Sequence, residues 1–121
     1  MWSDLQDSLI AIGPEIEPSI WEANFCFDSS LPLFRGHFPG NPLLPGVMQV
    51  EMAHLAMERI TGANYRIIRV KKAKFTGQVF PGDQVTVHLA SKDWEDYLQV
   101  KAQLSVGGKK VGSVILELQA S

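Results

Sequence analysis

One cysteine is all that this sequence contains, so no disulfide can form within the chain, and Cys26 is expected to be a small buried or half-buried side chain. Repeats and low-complexity tracts are absent, and no apolar run approaches the roughly 20 residues that a membrane-spanning helix needs. The formal net charge is −2, without the basic excess that is typical of nucleic-acid-binding proteins. These absences argue against a membrane span and against a nucleic-acid partner.

The first residues also lack the features of a secretory signal. The chain begins Met1-Trp2-Ser3-Asp4, which is acidic and has neither a basic segment nor an apolar core after it. A cytoplasmic location is therefore expected. At 121 residues the chain is expected to form one domain, 1–121, whose small core favours dimerisation.

Hydrophobic spacing predicts an α+β domain with one long helix. A short helix is predicted over 4–10 with Ser3 as its cap, followed by a strand over 20–27 in which apolar and polar side chains alternate. The long helix is predicted over 47–61 and ends at Gly62; it is apolar nearly all round, which is typical of a buried helix. Alternation then predicts strands over 65–75, around 85–89, over 98–106 and over 111–118, with a hairpin at Gly107-Gly108.

The segment between the first strand and the long helix carries the chemistry. His37 lies in a loop rich in glycine and proline, and Glu51 follows it by fourteen residues, just inside the helix. A neutral imidazole can take a proton, and a carboxyl group in apolar surroundings can give one, so the pair can catalyse an elimination. Gly46 opens the helix, where free backbone N–H groups can stabilise a carbonyl oxygen.

This segment resembles the active-site motif of the β-hydroxyacyl-acyl carrier protein dehydratases of the FabZ/FabA type. A second family block follows as Lys72-Ala73-Lys74-Phe75 and Pro81-Gly82-Asp83, and the two blocks have the order and spacing of the family over residues 34–84. The first block matches at ten positions: Gly36, His37, Phe38, Pro39, Gly40, Pro42, Pro45, Gly46, Val47 and Glu51.

The resemblance implies a fold, a reaction and a set of site residues. It implies the hotdog fold, in which a curved antiparallel sheet wraps one long helix, and a homodimer that dehydrates a 3-hydroxyacyl thioester on acyl carrier protein without a metal or organic cofactor. His37 would be the base, the Gly46 N–H would bind the carbonyl oxygen, and Glu51 of the other subunit would be the acid. The substrate would contact Phe38, Pro45 and Val47.

Three departures from the family pattern concern the substrate. Asn41 stands where the family often has histidine, and Leu55 stands where it commonly has glutamine. An L-P-H-R-x-P-F block, found at the start of long-chain members, is missing. The compact chain is more similar to the small dehydratases of aryl polyene pathways, so both a fatty acid and an aryl polyene pathway stay open.

Some of these residues allow other interpretations. Glu51 and His54 have the E-x-x-H spacing of di-iron ligands, but only one long helix is predicted, so a packed or interface histidine is preferred. The basic run from Arg66 to Lys74 is either a solvated strand face or a surface that attracts an acidic carrier protein. The rival functions are a hotdog acyl thioesterase and a non-catalytic acyl-binding subunit.

Overall fold

A computed structural model describes residues 2–34 and 44–121, and a six-stranded antiparallel sheet is its largest element. The strands lie in the order β1-β2-β4-β5-β6-β3. Their bounds are Leu9–Ile12 for β1, Ile20–Cys26 for β2, Tyr65–Phe75 for β3, Gln84–Asp93 for β4, Leu98–Val106 for β5 and Lys109–Ala120 for β6. Two α-helices, α1 at Trp2–Ser8 and α2 at Gly46–Thr61, and a 3-10 turn at Pro32–Phe34 complete the described chain.

Helix α2 packs against one face of this sheet and supplies much of the core. Its buried apolar residues meet inward-facing side chains of β4, β5 and β6, such as Val87, Leu104 and Leu116. On α2 these residues are Met48, Val50, Met52, Ala53, Leu55, Ala56 and Met57. The arrangement is the hotdog architecture of the α+β class, which confirms the predicted fold. Within the described part of the chain, neither helix has the length and apolar character to cross a membrane.

The burial of α2 is less complete than its sequence predicts. Four residues spaced three or four apart share one side of the helix, and each keeps some exposure: Val47, Glu51, His54 and Glu58. The opposite side is closed by the sheet. The helix therefore presents a stripe, mostly polar, that its own sheet covers only in part.

Most predicted boundaries are confirmed, and the glycines explain two of them. Gly62 ends α2 in the left-handed conformation at φ 75°, and Gly107 and Gly108 form the β5–β6 hairpin at φ 58° and 82°. The prediction for the N-terminus was wrong. The helix begins at Trp2, so Ser3 lies inside it and is not its cap, and the chain turns into β1 at Leu9 because β1 pairs with β2.

Strand β3 forms one edge of the sheet, and two irregularities change which way its basic residues face. Register shifts occur between Ile67 and Arg69 and again between Val70 and Lys72. Simple alternation would place Arg69 and Lys72 on opposite faces of the sheet. Because of the two shifts, four basic residues of β3 instead pair with β6 residues that all lie on the same face. The opposed pairs are Arg66 with Gln119, Arg69 with Glu117, Lys72 with Ile115 and Lys74 with Ser113. The outer face of the sheet therefore carries four of the five basic residues.

Candidate active site

The N-terminus of α2 is built from a proline and a glycine, and no side chain within residues 2–34 and 44–121 caps it. Pro45 holds the N-cap position at φ −60° and ψ 143°, and no side chain there forms a capping hydrogen bond. The approach to the helix is fixed by the Leu44 N–H, which donates to the Val79 carbonyl over 2.9 Å. The first N–H groups of a helix have no acceptor within the helix. The Gly46 N–H is therefore suited to bind a carbonyl oxygen, as the motif predicts.

Gly46 also needs its lack of a side chain for a reason within the fold. A β-carbon at this position would lie 2.7 Å from Cε2 of Phe75, because the ring of Phe75 packs over the start of the helix. Phe75 is the last residue of β3 and remains 45% exposed. The sequence marks Phe75 as part of the second family block but does not show that it contacts Gly46.

Glu51 lies on the second turn of α2, on the partly exposed stripe of the helix. Its side chain keeps 27% of its surface exposed, and Oε2 lies 3.1 Å from Nδ1 of His54. Residues three apart on a helix are neighbours on its surface, so this contact follows from the E-x-x-H spacing. The carboxyl group is thus held at one oxygen by an imidazole, next to the buried residues Val50 and Met52.

His54 connects α2 to β3. Its Nε2 lies 2.7 Å from the carbonyl oxygen of Tyr65 and 3.5 Å from Oε2 of Glu58, while the Tyr65 N–H donates to the same Glu58 oxygen over 2.7 Å. The side chain is only 12% exposed. These are the contacts of a packed histidine, the interpretation preferred from the sequence. Nowhere in residues 2–34 and 44–121 do three or more His, Cys, Asp or Glu side chains group as a metal site would require.

Gln49 is a buried polar residue that no motif in the sequence marks. It is 2% exposed, and among the described residues Oε1 has no hydrogen-bond partner. The side chain lies against Gly112 of β6, where the absence of a β-carbon makes room for it. The sequence does contain one indication of this residue: Gln49 is a polar residue on a helix that is otherwise mostly apolar. A polar residue in such a helix is either exposed or packed for a specific reason.

The structure brings together only part of the predicted site. Gly46, Val47 and Glu51 lie along the first turns of α2, with Pro45 before them and Val47 55% exposed. His37 and Phe38 lie outside the described residues, so the distance from the predicted base to the predicted acid is not defined. The described half of the site consists of the helix N-terminus and the carboxyl group of Glu51.

Known proteins with similar sequences include acyl carrier protein dehydratases. The FabZ 3-hydroxyacyl-[acyl-carrier-protein] dehydratase of Clostridium beijerinckii is 33% identical over 88 residues, covering 67% of this chain and 57% of that protein. FabZ of Enterococcus faecalis is 37% identical over 86 residues, covering 64% of this chain and 60% of that protein. The chain thus spans about three fifths of the length of these curated relatives.

The fold and the family agree with these relatives. The solved dehydratase heterocomplex ApeI:P from Xenorhabdus doucetiae superposes with a TM-score of 0.76 at 20% identity, over 92% of this chain and 96% of that chain, a likeness of fold. A family profile described as ApeI-like, ApeI dehydratase, matches residues 14–112, which is most of the sequence. The chain therefore belongs to the ApeI-like dehydratase family.

Proposed function

We propose that this protein removes water from a 3-hydroxyacyl thioester, bound to acyl carrier protein, and releases the trans-2-enoyl thioester. One observation carries the proposal: Glu51 presents a hydrogen-bonded carboxyl group beside a helix N-terminus that no side chain of the described residues caps. A donor for a carbonyl oxygen and a proton carrier for a leaving group are both needed for this elimination. The membership in a dehydratase family and the FabZ relatives support the same reaction.

The proposed mechanism assigns one step to each residue. The Gly46 N–H binds the thioester oxygen, and the positive end of α2 stabilises the charge that develops there. His37 takes the proton from the alpha carbon, the electron pair forms the double bond, and the carbon–oxygen bond at the beta carbon breaks. Glu51 gives its proton to the departing hydroxyl, which leaves as water. The thioester itself acidifies the alpha carbon, so the reaction needs no metal or organic cofactor.

The surfaces beside the site support a homodimer with shared sites. Strand β3 is eleven residues long and lies at the edge of the sheet, where unpaired backbone groups favour pairing with another strand. Exposed apolar side chains accompany it, including Ile68, Val70 and Phe75. A second copy that pairs along β3 would cover these side chains. We propose that each site takes His37 from one subunit and Glu51 from the other, with Phe38, Pro45 and Val47 along the substrate.

The outer face of the sheet supports a carrier protein as the source of the substrate. A shallow groove on this face is lined by Lys72 of β3, Lys101 of β5 and Lys110 of β6, and Arg66, Arg69 and Lys74 extend the same charge along β3. Positive charge of this extent attracts an acidic protein and raises its association rate.

A single domain, 1–121, that works in the cytoplasm is part of this proposal.

Two other functions stay as alternatives. A hotdog thioesterase would use Glu51 to activate water and would release a free acid and thiol. The heterocomplex formed by ApeI and its partner in Xenorhabdus doucetiae suggests a second alternative, in which this chain is one subunit of a mixed assembly. The presence of both His37 and Glu51 in this sequence favours a catalytic role, whether the chain forms a homodimer or a mixed assembly.

One assay separates these functions. Purified protein is incubated with 3-hydroxyacyl chains of several lengths on acyl carrier protein, and the acyl-carrier product is followed by mass spectrometry. Loss of one water without loss of the acyl group is the expected result. Release of free carrier thiol without an enoyl intermediate would instead establish a thioesterase. An unchanged substrate would favour a non-catalytic acyl-binding subunit.

A further inference from the structure

We propose that His54 is a positioning residue that holds the proton which Glu51 delivers. The inference rests on the proposed function in one respect, the role of Glu51 as the acid. It goes beyond that function because it assigns a task to a residue for which the family motif has no position. The hydrogen bonds around the imidazole ring support this role.

The Tyr65 carbonyl determines which ring nitrogen carries hydrogen. A carbonyl oxygen only accepts, and it lies 2.7 Å from Nε2, so Nε2 must be the donor. In neutral His54 the other nitrogen, Nδ1, then has a lone pair directed at Oε2 of Glu51, 3.1 Å away. A lone pair facing a carboxylate is repulsive, so this contact requires one proton between the two atoms. That proton resides on Glu51 in the neutral pair or on His54 in the ionic pair.

The surroundings of His54 keep the ring in this orientation. Glu51 and Glu58, both on α2, are titratable groups that face the ring, and the Glu58 oxygen also lies 3.5 Å from Nε2. The Tyr65 N–H donates to that Glu58 oxygen, which ties the helix to β3 at the same point. Arg66 follows Tyr65 on β3 but engages Gln119, its partner on the outer face. Ring rotation would break the bond to Tyr65, so Nδ1 stays directed at Glu51.

The proton balance of one turnover shows what this orientation achieves. Glu51 gives its proton to the hydroxyl group, which departs as water, and the alpha proton is on the base. The Glu51 carboxylate now faces the Nδ1 lone pair, and this proton-free arrangement is disfavoured. The pair therefore takes up one proton from solvent while the base releases one, and the net change is zero. His54 thus returns Glu51 to the state that can act as an acid.

Two substitutions separate proton holding from simple packing. His54→Asn places an amide near the position of Nδ1, which keeps a hydrogen bond to Glu51 but cannot carry the shared proton. His54→Gln places its amide near Nε2, which keeps the bond to Tyr65 and removes the one to Glu51. We expect both to lower kcat by about tenfold, a part of the ~10²–10⁴-fold contribution of a positioned acid. KM should stay within about twofold, since substrate contacts are unchanged.

The pH profile gives a readout that packing alone would not move. The Glu51–His54 contact holds one shared proton only while the imidazole is present, so the pH dependence of kcat should differ between His54→Asn and the unsubstituted protein. His88→Asn is the matched control, because His88 is exposed on β4 opposite Gln103. Its kcat and its pH profile should both match those of the unsubstituted protein.

Nitrogen-15 spectra of the imidazole test the tautomer independently of activity and of the folding of any variant. Hydrogen on Nε2 of His54 is expected; a neutral ring with hydrogen on Nδ1 alone would overturn the proposal. An unchanged kcat in a folded His54→Asn or His54→Gln protein would also overturn it. Glu51→Gln separates the role of His54 from the role of Glu51. If Glu51→Gln is inactive while both His54 variants are fully active, the proposed role of His54 is wrong and Glu51 remains the acid. If Glu51→Gln is fully active, Glu51 is not the acid.

Discussion

The side-chain oxygen of Gln49 occupies the space where a β-carbon on residue 112 would lie, so α2 and β6 approach each other through an amide and a glycine. Gln49 is almost completely buried and cannot swing into solvent to relieve an overlap. Gly112 also pairs with Phe75, whose ring covers Gly46. A substitution at the contact between Gln49 and Gly112 should therefore also shift the N-terminus of α2.

Gly112→Ala should destabilise the protein by about 1–3 kcal/mol, the usual range for adding a methyl group to a packed core. Denaturant unfolding measures this free energy. Gly13→Ala is the matched control, because a β-carbon there would meet only the Glu22 carbonyl oxygen at 3.7 Å, an ordinary contact. Adding Gln49→Ala to Gly112→Ala should restore part of the loss, and strict additivity of the two changes would show that the residues do not compete for this space.

His37→Ala and Glu51→Gln should each reduce dehydration by about 10²–10⁴-fold, because each removes one positioned base or acid. The melting temperature of Glu51→Gln should change little, since the amide has the size of the carboxyl group and the side chain is partly exposed. Steady-state rates on carrier-bound substrate test this expectation. Turnover near that of the unsubstituted protein in either variant would remove that residue from the mechanism.

Mixing His37→Ala protein with Glu51→Gln protein should restore activity if each site is shared between subunits. A mixed dimer has one site with both functional residues and one site with neither. The measurement is activity after subunit exchange, with exchange verified by mass spectrometry of differently tagged copies. Exchange without any rescue would place both residues of a site in one subunit.

Charge reversal on the outer face should impair the reaction with carrier-bound substrate in particular. For Lys72→Glu/Lys74→Glu we expect a higher KM on acyl carrier protein and little change on a short pantetheine thioester, which lacks an acidic surface. The difference should shrink as salt rises, since charges are screened beyond about 8–10 Å at moderate ionic strength.

Arg59→Glu/Lys109→Glu gives the same net charge with the changes placed elsewhere, on α2 and beside the β5–β6 hairpin, and serves as the control for that experiment. Its KM for carrier-bound substrate should stay near the unsubstituted value. If both double variants lose affinity equally, overall charge and not the outer face of the sheet attracts the carrier.

The elements with a strong local signal were predictable from the sequence. Alternation over 98–106 and the stop at Gly62 depend on neighbouring residues alone, because the period of side chains and the left-handed glycine are properties of short segments. The motif likewise predicted the start of α2 and the place of Glu51 on it. The contact of Glu51 with His54 could also be predicted from the E-x-x-H spacing, since residues three apart on a helix are neighbours.

Tertiary structure alone decided the contacts between distant segments. Strand β1 exists because β2 lies beside it, and the four cations of β3 share one face because two register shifts interrupt the alternation. The bond from His54 to the Tyr65 carbonyl and the packing of Gln49 on Gly112 join a helix to strands far along the chain. Local patterns determine which way a side chain points within its own element, but the atom that it meets depends on how elements pack, and that is a property of the whole fold.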